Sequence, residues 1–456
     1  MSQINKYIFR EYDIRGIVSE DFPDHVVKYL GQAFGTFVIR AGGKEVAISG
    51  DIRLTTPTLI NQFKIGLLST GVDVINLGIL PTPVNYFSMF NLGVYASVQI
   101  TGSHNPPEFN GFKLSMDKKP VYGKDIQIIR RLIKEKDFEN GEGTEARYKL
   151  LDTYNAMILD KINIEKPIRL VMDCGNAAAA LNAPKLFKSL GIQLKELFCE
   201  PDGTFPNHHP DPTVEKNLSA LIAEVKSGDY DLGIAFDGDA DRVGVVDERG
   251  DIINADQLMS IFLPDIIKKG DDIIFDVKCS QALIDMIKRY GGNPIMWKTG
   301  HSLIKQKMSE LQCKFGGEMS GHIFFADDYF GYDDAIYVAA RLIQMLSKTE
   351  KTLSELKSVI PIYHSTPEIR LEAESDEEKF KIAKLAVEYF TENHNCNTID
   401  GVRIQYENGW GLVRASNTQP VIVCRFEGDT PERVNEIKKI VLNKLKEFGT
   451  LNISAH

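Results

Sequence analysis

The chain has 456 residues, 43% of them hydrophobic, which excludes a disordered protein and leaves room for about three or four domains. Its 53 basic and 63 acidic side chains give a net charge of −10, which argues against a nucleic-acid partner but not against a small anionic substrate held in a locally basic cleft. The six cysteines are scattered and read as free thiols, no apolar leader opens the chain, and no apolar run is long enough to span a bilayer; the expectation is a cytoplasmic protein with no membrane partner.

One pattern of elements recurs along the chain. Glu45–Ser49 reads as a buried strand, Pro57–Leu68 as a helix stopped at Gly71, and Val72–Leu77 as a second strand. Arg169–Asp173, Ala177–Leu190, Gly191 and Ile192–Leu197 repeat that order. So do Asp272–Val277, Gln281–Tyr290, Gly291-Gly292 and Pro294–Trp297. Apolar strand, amphipathic helix, glycine stop and apolar strand make a crossover unit, and three copies imply three tandem mixed α/β domains. The last part differs. A helix opens near Ser375 with Glu378 completing a capping box, and short strands follow at Val402–Gln405, Leu412–Arg414 and Val421–Phe426, with turns at Asn408-Gly409 and Asn417-Thr418. A helix from Pro431 to Phe448 closes a smaller C-terminal α+β domain. The charged stretch Lys134–Arg147, the region near Gly250 and Pro361–Pro367 read as linkers.

Thr101-Gly102-Ser103-His104-Asn105-Pro106-Pro107 puts a serine hydroxyl in a segment that is neither helix nor strand. The glycine permits close backbone approach and the prolines fix the chain behind the serine, so Ser103 is expected to be rigidly held and exposed. Asn110-Gly111-Phe112-Lys113 supplies a cation at the end of that loop. Asp237-Gly238-Asp239-Ala240-Asp241-Arg242 follows the strand Leu232–Phe236, at the strand end where open α/β sheets bind ligands. Carboxylates two apart on a flat strand lie about 6.5 Å from one another, whereas oxygens sharing one Mg²⁺ lie about 3 Å apart. The trio can therefore share an ion only if the chain curls, which Gly238 and Ala240 are small enough to allow.

Other readings fit the acidic triplet. One is a solvated turn. A second is a calcium loop of the EF-hand kind, with Glu248 at its twelfth position but Arg242 where glycine is needed. A third is the nucleophilic aspartate of haloacid-dehalogenase-like phosphatases, with Asp241 where that motif has Thr or Val. What favours metal-assisted phosphoryl transfer is the pairing with Ser103. A phosphoserine carries roughly two negative charges at neutral pH, and beside three carboxylates it needs a cation between them. Two later loops add a sugar-like and a phosphate-like grip. Gly316-Gly317-Glu318-Met319-Ser320-Gly321-His322 combines hydroxyl-binding side chains with glycines, and Arg414-Ala415-Ser416-Asn417-Thr418 gathers a guanidinium, hydroxyls and an amide suited to a phosphate dianion.

Together with Phe9-Arg10-Glu11-Tyr12-Asp13-Ile14-Arg15-Gly16, these segments resemble the α-D-phosphohexomutase family, most closely its bacterial phosphomannomutase/phosphoglucomutase branch, in the family's order and over essentially the whole chain. The resemblance implies four domains around a central cleft: 1–148 with the phosphoserine loop, 149–250 with the metal loop, 251–364 with the sugar-binding loop and 365–456 with the phosphate-binding loop. It makes Ser103 the phosphoserine and Asp237, Asp239 and Asp241 the holders of Mg²⁺, joined by a phosphoryl oxygen on Ser103. Glu318 and Ser320 bind sugar hydroxyls with His322 nearby, and Arg414, Ser416, Asn417 and Thr418 grip the phosphate that does not react. Tyr12, Arg15, Lys113, Arg242, Lys278 and His301 match basic or polar cleft positions, and His104 adjoins the nucleophile. The general acid/base stays open among His104, Lys113 and His301. Ala240 departs from the family's usual glycine, and Ser49-Gly50-Asp51-Ile52-Arg53 lacks an arginine often found in that region.

The activity implied is exchange of hexose 6-phosphate with hexose 1-phosphate through phosphoserine and a hexose 1,6-bisphosphate, which also serves as activator. Mannose and glucose are the expected sugars; Met319 stands where the glucosamine-phosphate branch has glutamine. A glucosamine-phosphate mutase, a haloacid-dehalogenase-like phosphatase and a non-catalytic sugar-phosphate sensor are the alternatives. Oligomeric state is not legible in the sequence.

Overall fold

The computed structural model describes residues 4–416 and 421–453. The chain divides into two compact units, Met1–Leu258 with Ser320–Lys357, and Met259–Met319 with Ser358–His456. Among the described residues, no helix is long and apolar enough to cross a membrane.

In the first unit, the sheet nearest the N-terminus is mixed. Glu45–Gly50 lies parallel to both Asp73–Ile79 and Ala96–Ile100, and Phe109–Met116 runs antiparallel between Ala96–Ile100 and Ile14–Ile17. The helix Thr56–Leu68 starts with proline in its first turn, where a missing N–H costs nothing. It packs with the helix Asp24–Arg40 in a core of Leu30, Phe34, Phe63, Leu67 and Phe112, all buried. The expected linker Lys134–Arg147 is instead part of this domain. Its strand Glu145–Arg147 pairs parallel with Asp73–Ile79, and Arg40 binds Asp137 and Glu139.

The second sheet runs Ile252–Ile253, Val243–Asp247, Leu232–Phe236, Arg169–Asp173, Gln193–Leu197. The region near Gly250 is not a linker but the turn joining Val243–Asp247 to its antiparallel neighbour Ile252–Ile253. The single helix expected over Ala177–Leu190 is broken. A 3-10 turn, Ala178–Leu181, gives way at Asn182 to the helix Ala183–Ser189. Pro184 enforces the break, because it lacks the N–H and its ring would strike the carbonyl one turn back.

In the second unit, Asp272–Asp276 lies between the parallel strands Asn293–Trp297 and Phe315–Gly317. Ser280 caps the helix Gln281–Arg289 by accepting from Ala282 N–H. The C-terminal sheet is antiparallel, with Gly409–Ala415 between Val402–Tyr406 and Val421–Gly428. Asn408 turns the hairpin in the left-handed region at φ 57°. Ser375 caps the helix Asp376–Asn393 through Glu378 N–H, and Thr430 caps Pro431–Phe448. Within Pro361–Pro367, read as a linker, His364–Ser365 pairs with Val421–Gly428. Arg403 lies 3.7 Å over the ring of buried Trp410 and donates to the carbonyls of Val277 and Cys279 at 2.7 and 2.9 Å. That contact fixes the end of the strand from which Lys278 projects.

Candidate active site

The serine loop leaves the strand Ala96–Ile100 and returns through Phe109–Met116. Ser103 is held in the left-handed region at φ 49° and is buried, only 2% exposed, which corrects the expectation of an exposed hydroxyl. The loop folds inward because Arg53 pulls it in. This side chain, fully buried, donates to the backbone carbonyls of Ser103 (2.8 Å), Asn105 (2.6 Å), Pro106 (2.6 Å) and Phe109 (3.1 Å), while its Nε faces Asp51 at 3.1 Å. Asp51 in turn accepts from Thr56 and Thr101 hydroxyls. One fork of donors thus reaches four carbonyls of the loop, of which that of Pro106 also accepts from Phe109 N–H at 3.0 Å. Sequence reasoning gave Arg53 and Asp51 no role; the signal was an acid and a base two residues apart just past the strand Glu45–Gly50.

The acidic loop follows the strand Leu232–Phe236 and does curl. Ala240 takes φ 64°, and Asp237 Oδ1 accepts from the N–H groups of Asp241 and Arg242 at 3.0 and 3.1 Å. The serine and acidic loops touch at Gly238, where any Cβ would lie 2.1 Å from the Ser103 carbonyl oxygen. Ser103 Oγ lies 3.2 Å from Asp237 Oδ2 and 3.0 Å from His104 Nδ1. Ligand atoms of Asp237, Asp239 and Asp241 lie within 4.8 Å of one another, and all three side chains are fully buried.

Three such carboxylates cannot stay ionised without cations. Burial first, then Asp241 and Asp239, push Asp237 far above the usual carboxylate range. Asp239 goes the other way: burial would raise it, but Lys113 holds it low. Lys113 Nζ stands 2.6 Å from Asp239 Oδ2 and also bonds Asp241 Oδ2. Burial lowers the Lys113 pKa, yet Asp239 and Asp241 more than reverse this and keep it charged. The second oxygens, Asp239 Oδ1 and Asp241 Oδ1, are buried without a hydrogen-bond partner. Orphaned hard oxygens beside Asp237 fit a divalent cation of the Mg²⁺ kind.

Of the remaining predicted residues of this unit, Arg15, His104, Arg242 and His322 contact the serine or acidic loop or one another. Arg15 donates to Asn105 Oδ1 at 2.7 Å and to Asp13 at 2.5 Å. Arg242 Nε meets His322 Nε2 at 3.0 Å, while His322 Nδ1 lies 3.0 Å from Asp333 and 3.6 Å from Asp241. His322, placed with the sugar-binding group from sequence, is therefore buried against the acidic loop. Burial, then Arg242, Arg15, His322 and Lys113, depress the His104 pKa well below the usual histidine value, so its imidazole is neutral. Tyr12 lies half-buried in the turn before Ile14–Ile17, and Ser320 is half-buried.

The second unit carries the other predicted groups. Glu318, 1% exposed, accepts from Gly300 N–H at 2.5 Å, at the start of the helix His301–Leu311 that presents His301. Lys278 Nζ lies 3.6 Å from Glu368 and 3.8 Å from Asp276. Arg414 Nε bonds Asp400 Oδ2 at 3.0 Å; the same oxygen accepts from Thr299 N–H, whose hydroxyl reaches Asp276, which accepts from Met319 N–H. Asp276, Thr299 and Asp400, none singled out from sequence, thus link the loop of Glu318 to the strand of Arg414. Ser416 is buried, and its carbonyl accepts from Lys379 Nζ at 2.8 Å. Asn417 and Thr418 lie outside the described residues.

Comparison with known proteins gives the family. Phosphoglucomutase/phosphomannomutase α/β/α domains I, II and III match residues 6–140, 152–250 and 254–363, and the C-terminal domain of the same family matches 368–444. A phosphomannomutase/phosphoglucomutase of Pseudomonas aeruginosa is 45% identical over 96% of this chain and 95% of its own length. A Neisseria gonorrhoeae phosphoglucomutase is 39% identical over 96% of each. The crystal structure of a phosphoglucomutase/phosphomannomutase family protein from Burkholderia thailandensis superposes with a TM-score of 0.92 at 39% identity, covering 98% of this chain and all of that one.

Proposed function

The chain belongs to the phosphoglucomutase/phosphomannomutase family, and from that premise we propose that it interconverts the 6- and 1-phosphates of mannose and glucose through a phosphorylated Ser103 and a hexose 1,6-bisphosphate. The observation that carries this reading is the position of Ser103 Oγ, 3.2 Å from a trio of buried carboxylates with two orphaned oxygens. Sugar phosphates are the ligands. The N-acetylphosphoglucosamine mutase of Aspergillus fumigatus, which shares the fold at 14% identity, has been crystallised with GlcNAc-6P and magnesium.

In the first half-reaction the bond from Ser103 Oγ to phosphorus breaks, a bond from the sugar hydroxyl to phosphorus forms, and the hydroxyl proton is delivered to Ser103 Oγ. The bisphosphate then turns over and the steps run in reverse with its other phosphate. Asp237, Asp239 and Asp241 would hold Mg²⁺, whose charge offsets that of the transferring group. His104, neutral and 3.0 Å from Ser103 Oγ, holds or accepts the proton at that oxygen. Lys113 keeps Asp239 and Asp241 paired while the site is empty. Arg15 and Arg242 set positive charge around the serine, Arg414 and Ser416 take the idle phosphate with Lys278, and Glu318 and Ser320 take the hydroxyls.

A coupled assay with mannose, glucose and glucosamine 1-phosphates, Mg²⁺ and catalytic 1,6-bisphosphate tests this. Turnover of the first two is expected, and Ser103→Ala should lose nearly all of it while still binding sugar phosphate. The phosphorylated enzyme should resist hydroxylamine. A hydroxylamine-labile phosphate on Asp237 would instead identify a haloacid-dehalogenase-like phosphatase.

A further inference from the structure

Two cysteines meet in the second sheet. Arg169–Asp173 and Gln193–Leu197 are parallel neighbours with Asp173 opposite Leu197, and Cys174 N–H continues the ladder to the Leu197 carbonyl. Had both strands run on in register, Cys174 would face Phe198, and Cys199 would point to the opposite side of the sheet. Phe198 breaks that alternation with a left-handed φ of 50°, and Cys199 Sγ comes to 3.3 Å from Cys174 Sγ. The turn is laced together around them: Asn176 N–H donates to the Phe198 carbonyl, Asn176 Nδ2 to that of Glu200, and Asp202 N–H to that of Asn176. Elsewhere, Cys313 faces backbone carbonyls and Cys279 faces Asp276.

We propose that Cys174 and Cys199 are an oxidisable pair that closes into an intramolecular disulfide when the protein meets a hydroperoxide. The two sulfurs are unequal. Cys174 is fully buried, and burial pushes its thiol well up, so it is a poor first nucleophile. Cys199 is half-buried and lines an open hollow of about 590 Å³, bordered also by Lys185, Lys188, Glu196 and Glu200, through which a small oxidant can reach its sulfur. The Cys199 thiolate attacks the terminal peroxide oxygen, the O–O bond breaks, and the departing alkoxide or hydroxide takes up a proton; Cys199 becomes a sulfenic acid. Cys174 sulfur then attacks the Cys199 sulfur, the S–O bond breaks, and hydroxide leaves with the Cys174 proton as water. Two thiols and one hydroperoxide give one disulfide, one alcohol (or water) and one water; the pair loses two electrons and the peroxide gains them. The contact distance lets Cys174 intercept the sulfenic acid before a second peroxide does.

The test uses the full chain treated with stoichiometric hydrogen peroxide, blocked with N-ethylmaleimide and digested without reductant. The expected product is a cross-linked peptide pair holding Cys174 and Cys199, two hydrogens lighter than the sum and released by dithiothreitol. In C174S, Cys199 should stop at sulfenic acid and be trapped by dimedone; in C199S, Cys174 should give no dimedone adduct. Recovery of both residues as maleimide adducts from oxidised wild-type protein overturns the proposal, as does Cys199 sulfinic acid without cross-link. The wild-type map needs no variant to fold.

Discussion

Arg53 Nη2 donates to the backbone carbonyl of Ser103 at 2.8 Å, and the rest of the same guanidinium holds Asn105, Pro106, Phe109 and Asp51. The shape of the serine loop is therefore set from a residue fifty positions upstream. Arg53→Ala leaves Asp51 buried without its counter-ion and four carbonyls short of a donor. A loss of about 3–5 kcal/mol in stability is expected. Arg53→Lys keeps the charge but not the fork; it should fold, yet turn over at least tenfold more slowly, by about 1.4 kcal/mol of misplaced serine. Chemical denaturation with initial rates on both variants checks this, and wild-type turnover in Arg53→Lys would contradict it.

Lys113 and a bound cation answer the same charge problem. Lys113→Met should destabilise the metal-free protein, since Asp239 and Asp241 lose their counter-charge. If the folded trio holds Mg²⁺ as proposed and the unfolded chain does not, the ion should raise the melting temperature of both proteins, and that of the variant more. Thermal melts with EDTA and with Mg²⁺ decide it. Equal shifts would mean that lysine and metal do not share these carboxylates.

Asp334 gives a pH dependence. It is buried, accepts from Tyr154 and Tyr329 hydroxyls at 2.8 and 2.6 Å, and caps the helix Ala335–Ser347. Burial raises its pKa to about 6, against the pull of those hydrogen bonds. Because the folded value exceeds the unfolded one, folding takes up a proton between them. Its contribution is complete below about pH 4 and is lost as pH rises through 6. Asp334→Asn keeps the cap but cannot titrate. Between pH 4 and 7 the wild type should lose up to about 3 kcal/mol relative to the variant. A pH-independent difference in unfolding free energy would refute the assignment.

Lys379, 2% exposed, joins Asp376 at 2.7 Å to the Ser416 carbonyl at 2.8 Å. It anchors the entry to the proposed phosphate grip through the backbone. Lys379→Met should raise KM for sugar phosphate about tenfold, the worth of one charge-assisted hydrogen bond, and change kcat much less. A fall in kcat at constant KM would point to another role.

Local chemistry made much of this molecule readable in advance. Apolar strands such as Glu45–Gly50, capped helices such as the one opening at Ser375, and the hairpin at Asn408-Gly409 follow from short-range preferences that the packing reinforces. The acidic trio was legible only together with the serine loop, because a phosphoserine beside three carboxylates needs a cation between them. What escaped was long-range or opposed to propensity. Arg53 looks like an ordinary surface residue until the loop around Pro106 folds over it. The burial of Ser103 depends on that same arginine. Phe198 in the left-handed region, which aligns Cys199 with Cys174, contradicts every local preference of a bulky aromatic residue. Of the misread linkers, Glu145–Arg147 is an edge strand whose partner Asp73–Ile79 lies some seventy residues upstream, whereas the region near Gly250 is a tight turn between neighbouring strands whose second arm, Ile252–Ile253, is only two residues long.

The run of contacts Arg414–Asp400–Thr299–Asp276–Met319 has a bearing on selectivity. It ties the strand of Arg414 to the loop of Glu318, so the proposed phosphate reader and hydroxyl reader would act as one caliper set to a single span. Under the proposed function, such a caliper gauges how far a phosphate sits from a pair of hydroxyls and ignores the configuration of atoms it does not reach. Epimers that preserve that span pass equally, and so does one bisphosphate presented from either end.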